Sequence, residues 1–356
     1  MKQRILSIFN FSTLKVLRVS RKAIASLCVA LLVLVCSEVA TRVILTSPIG
    51  DGWDYWSEDA AARWLTYDRL CTSINKPDIV IAGDSTAAYG FEPTAFARVL
   101  ADGGVAANAY NLSALGNFPP AFDASVTDLV LSHPNKQPKV LIIMLARGGF
   151  VTTIGHEQTE HAIISSHVIR RARGDFVIGD CFALARIKSA SNRLLRWTAG
   201  RHLSTLSASD SGFGRRAQRL KNDNNWARSA TIPTERYDAQ SLDVLRLETL
   251  EKCFSKLQGG HTDVVMVVPP SHRVERLRWQ NPSDVSTRFK KICDKWGVEI
   301  WDFSFAAEFD DGMYNDPIHL NENGAKMFSQ ILGERYLKHV HSKTNSLVLN
   351  EGTGAE

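Results

Sequence analysis

Five short, nearly unbroken apolar runs constrain the fold of this chain more than any other feature. They are Ile79 to Ala82, Ala107 to Leu112, Val140 to Leu145, Val264 to Val268 and Val298 to Phe303. Nearly continuous apolar runs of this length suit parallel strands covered on both faces. Helical patterns separate them. Pro93 to Leu100 opens with a proline at a first-turn position. Ala121 to Leu131 follows the second run, and Ser241 to Leu257 repeats leucine at helical spacing. Ser283 to Trp296 precedes the fifth run, and Glu322 to Leu337 closes the pattern. Strand and helix in alternation predict an α/β, three-layer sandwich around a five-stranded, mainly parallel sheet with right-handed crossovers.

The N-terminus is set apart by charge. The first 22 residues carry Lys2, Arg4, Lys15, Arg18, Arg21 and Lys22 and no acidic residue. Ala23 to Ser37 is then free of charge, and apolar residues continue to Leu45. A spanning helix needs about 20 apolar residues. The run is short for that unless Lys22 snorkels and Glu38 sits at the far interface. The basic flank predicts a tail at 1–22 held in the cytoplasm and a single-pass anchor at 23–46. The domain at 47–345 is then outside the cytoplasm, in a periplasmic setting, with a disordered tail at 346–356. A cleaved signal peptide competes, although Glu-Val-Ala before Thr41 is a poor cleavage site. A buried core helix is the third reading.

Between the third and fourth strands, 152–240 is longer than a crossover requires. From His161 to Arg236 it holds 14 Lys/Arg against 5 Asp/Glu, together with Trp197 and Trp226. A cap over a site, or a surface for anionic glycan or lipid headgroups, accounts for this; so does a solvated basic insertion. No nucleic-acid-binding motif accompanies the charge, so nucleic acid is not an expected partner. The cysteines show neither CxxC nor Cys/His ligand spacing, so no zinc site is expected. Cys253 and Cys293 precede the fourth and fifth strands; a disulfide and two separate buried thiols are both open.

Two motifs carry chemistry. Asp78-Ile-Val-Ile-Ala runs into Gly83-Asp84-Ser85-Thr86, which places Ser85 just beyond the carboxyl end of the first strand. Ligands bind on that rim of an open α/β sheet. An ordinary strand-to-helix turn would use the same residue types. Before the last helix stands Asn315-Asp316-Pro317-Ile318-His319-Leu320-Asn321. Asp and His three apart in a turn can meet, the carboxylate taking the Nδ1 proton and leaving Nε2 to accept a proton from a serine. The bland reading is a surface histidine beside a turn capped by Asn321.

Both motifs in this order resemble the SGNH/GDSL hydrolase superfamily, over roughly Asp78 to Leu145 and Thr262 to Leu337. The resemblance implies a flavodoxin-like sheet, Ser85 as nucleophile, and Asp316 and His319 as its partners. Metal and organic cofactors are not implied. The α/β-hydrolase signature Gly-x-Ser-x-Gly is absent, since Ser85 is followed by Thr86-Ala87. By the resemblance the oxyanion donors are the backbone of Ser85 and a second-block glycine, here Gly116, which a plain turn glycine would also explain. The third block normally supplies an asparagine. This chain has Ala146-Arg147-Gly148-Gly149 instead. Asn117 or Arg147 is the candidate substitute, and Arg147 is equally a candidate structural ion-pair residue.

Anchor, long insertion and altered third block together resemble the membrane-anchored SGNH-like proteins of cell-envelope polysaccharide acylation. That comparison implies an esterase or O-acyltransferase working on acyl esters, acetyl first, of cell-surface carbohydrate or a wall polymer. An inactive SGNH-like module that binds glycan is the alternative.

Overall fold

The computed structural model describes residues 21–45, 58–131, 133–151, 154–176, 235–258 and 260–351. The N-terminal helix α1, Arg21–Leu45, is long and apolar enough to cross a membrane over Lys22–Val43, and its leucines and valines from Leu27 to Val43 are exposed. The expected anchor is thus a continuous helix beginning within the basic flank. The basic tail at 1–20 lies outside the described residues, as does most of the long insertion.

The remainder is built on one sheet. Helix α2 (Glu58–Cys71) leads to β1 (Ile79–Gly83), α3 (Ser85–Gly90) and α4 (Pro93–Asp102). Strand β2 (Ala109–Asn111) is followed by α5 (Pro119–Asp123), which runs into a π-helical stretch at Ala124–Leu131, and then by β3 (Val140–Met144). The described part of the insertion holds α6 (Ile154–Ile164) and α7 (His167–Ala172). Then come α8 (Val244–Leu257), β4 (Asp263–Val268), α9 (Arg273–Arg276), α10 (Pro282–Lys295), β5 (Glu299–Asp302) and α11 (Glu322–Glu351). All five predicted strands form, in the order β2-β1-β3-β4-β5, and every pairing is parallel. The closing helix continues past Leu337 to Glu351, into the segment expected as a tail; 352–356 lie outside the described residues.

Strand residues alternate between two apolar layers, as the pleat requires. Val80, Ala82, Leu141, Ile143, Met266 and Val268 pack with α2, α5, α8 and α10. Ile79, Ile81, Ile142, Met144, Val265 and Val267 pack with α4 and α11. Covered on both faces, the central strands have no place for a polar residue, which explains the unbroken runs. Cys253 and Cys293 are separate, buried free thiols, and Cys293 Sγ lies 3.6 Å from Met266 Sδ. Of the two open readings of that pair, the disulfide is not formed.

The order of the strands positions the site. Strand β1 is second in the sheet, flanked by β2 on one side and β3 on the other, so the loops after β1, β2 and β3 share one rim. At the end of β1, Gly83 is pinned. A Cβ there would lie 1.8 Å from the Met144 carbonyl oxygen and 2.9 Å from the Ala87 Cβ. Only glycine lets α3 turn off the strand this close to β3.

Candidate active site

Ser85 is the first residue of α3, and the residue before it sets its position. Asp84 is buried and caps the helix. Its Oδ1 accepts from the Thr86 amide at 2.8 Å and from Thr86 Oγ1 at 2.5 Å; its Oδ2 accepts from the Ala146 amide at 3.0 Å. One carboxylate therefore ties the loop after β1 to the loop after β3. An aspartate is also a favourable charge at a helix N-terminus.

The partners of Ser85 arrive on a tight loop between β5 and α11. Tyr314 and Leu320 form an antiparallel bridge, and the Asn315 amide donates to the His319 carbonyl at 2.8 Å. Inside this loop Asp316 Oδ1 accepts from the Ile318 and His319 amides, both at 2.9 Å. Asp316 Oδ2 is 2.7 Å from His319 Nδ1, and His319 Nε2 is 2.8 Å from Ser85 Oγ. The chain Asp316–His319–Ser85 is thus continuous in hydrogen-bond distance across 234 residues of sequence. Burial opposes charge on Asp316, yet the His319 hydrogen bond and the two amides hold its carboxyl below the ordinary value. An ionised carboxylate on Nδ1 fixes the tautomer with Nε2 as the acceptor for the serine proton.

Three further residues stiffen the loop. Asn321 caps α11 as expected, its Oδ1 accepting from the Gly324 amide at 3.1 Å, while its Nδ2 donates to the Gly312 carbonyl at 2.7 Å. The His272 amide donates to the Pro317 carbonyl at 3.3 Å, and His272 Nε2 lies 2.7 Å from Asp311 Oδ1. Tyr89, from α3, meets the His319 ring edge-on with centroids 5.3 Å apart.

The candidate oxyanion residues are dispersed. Gly116 and Asn117 form the turn after β2, and this turn docks on β1. The Ala114 amide donates to the Gly83 carbonyl at 3.1 Å, and Asn117 Nδ2 approaches the same oxygen at 3.4 Å. Gly116 has φ +70, and a Cβ on it would lie 2.1 Å from Thr159 Cγ2, so both backbone conformation and α6 require glycine. The Asn117 side chain is buried and also accepts from Ser125 Oγ at 3.1 Å, which commits its amide group to the interior. Arg147 is committed too. Its side chain is 2% exposed and reaches Asp302 at 2.6 Å, Ser286 Oγ at 2.5 Å and the Pro282 carbonyl at 3.0 Å. The guanidinium also lies over the Phe305 ring. Of the two roles open for Arg147, the geometry is that of an ion pair joining β3 to β5 and α10, not of a side-chain oxyanion donor.

A cavity of about 170 Å³ opens beside Ser85, between the loops that follow β1, β3 and β4. Phe118, Val151, Pro269, Pro270, Tyr237 and Trp279 give it mostly apolar walls. Like Asp84, Glu275 on α9 is a buried acid in that wall. Desolvation pushes its carboxyl up to about 7, against the pull of Arg278 and a hydrogen bond with Trp279. His156 stacks on Phe118 with centroids 3.9 Å apart, and burial lowers its pKa. None of these wall residues stands out in the sequence. They come from separated segments and share no motif; the one local signal is the Pro269-Pro270 pair that ends β4.

No protein-family model matches the chain, and no curated protein matches it. Solved structures do. A gut microbial diltiazem-metabolizing enzyme is 12% identical, with TM-score 0.37, covering 74% of this chain and 46% of its own length. The SGNH-hydrolase family esterase AlinE4 is 14% identical, with TM-score 0.34, covering 75% of this chain and 98% of its own. A candidate acylhydrolase from Bacteroides fragilis is 10% identical, with TM-score 0.35, covering 78% of this chain and 98% of its own. At these identities and scores the likeness brings no activity to this chain.

Proposed function

We propose that the chain is a serine esterase or O-acyltransferase with Ser85 as nucleophile, His319 as general base and acid, and Asp316 as its orienting carboxylate. The observation behind this reading is the unbroken relay of 2.7 and 2.8 Å contacts from Asp316 through His319 to Ser85 Oγ. Nucleophile, base and orienter in hydrogen-bond reach are the geometry that covalent acyl transfer needs.

The chemistry runs in two steps. His319 Nε2 takes the Ser85 proton as Oγ attacks the ester carbonyl carbon. Backbone N–H groups of Ser85 and Gly116 are the donors assigned to the developing oxyanion. The carbon–oxygen bond to the leaving alcohol breaks, and that alcohol departs with the proton from His319. Water or a sugar hydroxyl then gives its proton to His319 and attacks the acyl-serine; Ser85 leaves and recovers its proton. An acyl ester is hydrolysed in the first case and transferred in the second. Exclusion of water would favour transfer.

The α1 helix supports a membrane-anchored enzyme, and the basic residues before Ala23 support an extracytoplasmic orientation. Envelope carbohydrate is then the substrate within reach, as the resemblance to envelope-acylation proteins also implies. The test is acyl-group analysis of surface polysaccharide from cells carrying wild type or Ser85→Ala. A changed acyl content in the variant is the expected result; identical content would overturn the carbohydrate assignment. Alkaline phosphatase fused after Glu356 should be active, and an inactive fusion would overturn the orientation.

A further inference from the structure

The cavity beside Ser85 lies on a definite side of the candidate nucleophile. Ser85 and Thr86 are in its wall, and so is Ile318, but His319, Asp316 and Tyr89 are not. In acyl transfer the leaving oxygen must face the histidine that returns its proton, so the acyl substituent projects the other way. The cavity therefore occupies the acyl side. This step rests on the proposed serine mechanism.

Size and lining narrow the acyl group. The cavity holds about 170 Å³. An apolar cavity of roughly 150 Å³ is enough for benzene, a group of six carbons. An acetyl methyl would leave most of the space empty, and unfilled apolar space forfeits its contacts. Phe118, Val151, Pro269, Pro270 and Trp279 offer apolar surface to a longer chain. The wall is not wholly apolar: Asp84 is taken up by the Thr86 and Ala146 amides and Arg147 by Asp302, whereas Glu275 faces the cavity. The Glu275 side chain is only 7% exposed, and its Oε1 faces Gly148: a Cβ on Gly148 would lie 3.8 Å from it, with no other atom within 4 Å. Arg278 pairs with Glu275 at 3.4 Å, and Trp279 hydrogen-bonds its carboxyl. The edge of the carboxyl that faces Gly148 still borders the cavity, where a ligand hydroxyl can donate to it.

We propose that this cavity is the binding pocket for an acyl group of about four to six carbons that carries a hydroxyl, with Glu275 as the group that recognises the hydroxyl. The preference for acetyl expected from the sequence gives way to a longer, hydroxylated acyl chain.

The test uses the full-length protein in detergent micelles. The read-out is the rate of the p-nitrophenol burst, which follows acylation and requires no acceptor. The esters are p-nitrophenyl acetate, butanoate, hexanoate, 3-hydroxyhexanoate and 6-hydroxyhexanoate. Labelling of Ser85 by a small fluorophosphonate is measured in parallel. Burying a methylene is worth up to about fourfold in binding, so hexanoate should exceed acetate by at least about tenfold. One of the two hydroxy esters should exceed hexanoate by about tenfold, and Glu275→Leu should abolish that advantage while keeping the chain-length preference. Gly148→Leu places its side chain in the open space before Glu275. It should lower the hexanoate rate at least tenfold more than the acetate rate. Gly148→Ala gives a smaller drop of the same kind, and Glu275→Gln keeps the shape should Glu275→Leu fail to fold. A labelled Ser85 with acetate fastest, or with no ester reacting, overturns the pocket and leaves the serine reading standing. Absence of both labelling and acylation overturns the two together.

Discussion

Arg147→Ala separates the two roles that the altered third block left open. In the structure the guanidinium is buried against Asp302, Ser286 and the Pro282 carbonyl. Burial penalises its charge and lowers its pKa, while Asp302 offsets part of that penalty. Removing one partner of a buried pair costs about 3–5 kcal/mol, because the other charge is left uncompensated. Here Asp302 keeps Ser286 at 2.7 Å and the Ser304 hydroxyl and amide at 2.5 and 3.0 Å, so the low end, about 3 kcal/mol, applies. With an unfolding entropy near 2.1 cal/mol/K per residue over roughly 300 residues, that lowers Tm by roughly 5 °C. Tryptophan fluorescence of the protein in detergent on heating measures it. Asp302→Asn should cost a similar amount, and the double variant should cost less than the sum, since both disrupt one interaction. The acylation rate well below Tm should fall by less than about tenfold. A side chain that donated to the oxyanion would behave oppositely: its loss costs roughly 10²–10³ in rate. A drop of that size in Arg147→Ala with Tm unchanged would refute the ion-pair account.

Other expectations follow from contacts away from the triad. Gly83→Ala forces a methyl to within 1.8 Å of the Met144 carbonyl, so β1 and β3 must separate; the variant should lose about 3 kcal/mol or more and Ser85 labelling together, and a stable, fully labelled Gly83→Ala would contradict the close packing. His339 lies between Asp263 (3.2 Å) and Glu299 (2.6 Å), and the Asp263 hydrogen bond leads in raising its pKa against the cost of burial. The stability this adds is fully present below the unfolded histidine value, about 6.5, and is lost as pH rises through the raised folded value. Asp263 and Glu299 are held low despite burial, so their share is present above the ordinary carboxylate range, about 4, and is lost as acid protonates them. The Tm difference between wild type and His339→Gln should therefore be largest near pH 5–6.5 and shrink toward pH 9. A difference that grows with pH would reverse the assignment.

The strands were readable because burial on both faces leaves the central ones almost wholly apolar, and all five appear within a few residues of their predicted spans. The loop motifs were readable for a related reason. Asp316 and His319 interact within a single turn, so their spacing already encodes their contact. Helix α2 was not read, because Ala60, Trp64 and Tyr67 bury one face of a short segment in which charged residues (Glu58, Asp59, Arg63, Asp68, Arg69) interrupt the apolar ones. The role of Arg147 depends on Asp302, 155 residues away, and no local pattern announces a partner at that distance. The cavity is harder still. Phe118, His156, Tyr237 and Glu275 converge from four segments, and a carboxyl pushed up to about 7 by desolvation is invisible until its surroundings are known.

The central claim is that Ser85 is a nucleophile activated by His319, and covalent labelling tests it most directly. The full-length protein in detergent is treated with a fluorophosphonate, digested, and the modified peptide located by mass spectrometry. The label should fall on Ser85, vanish in Ser85→Ala, and slow by on the order of 10³-fold or more in His319→Ala, since nucleophile and base act as a unit. No label on Ser85 in the wild type, or an undiminished rate in His319→Ala, would contradict the account.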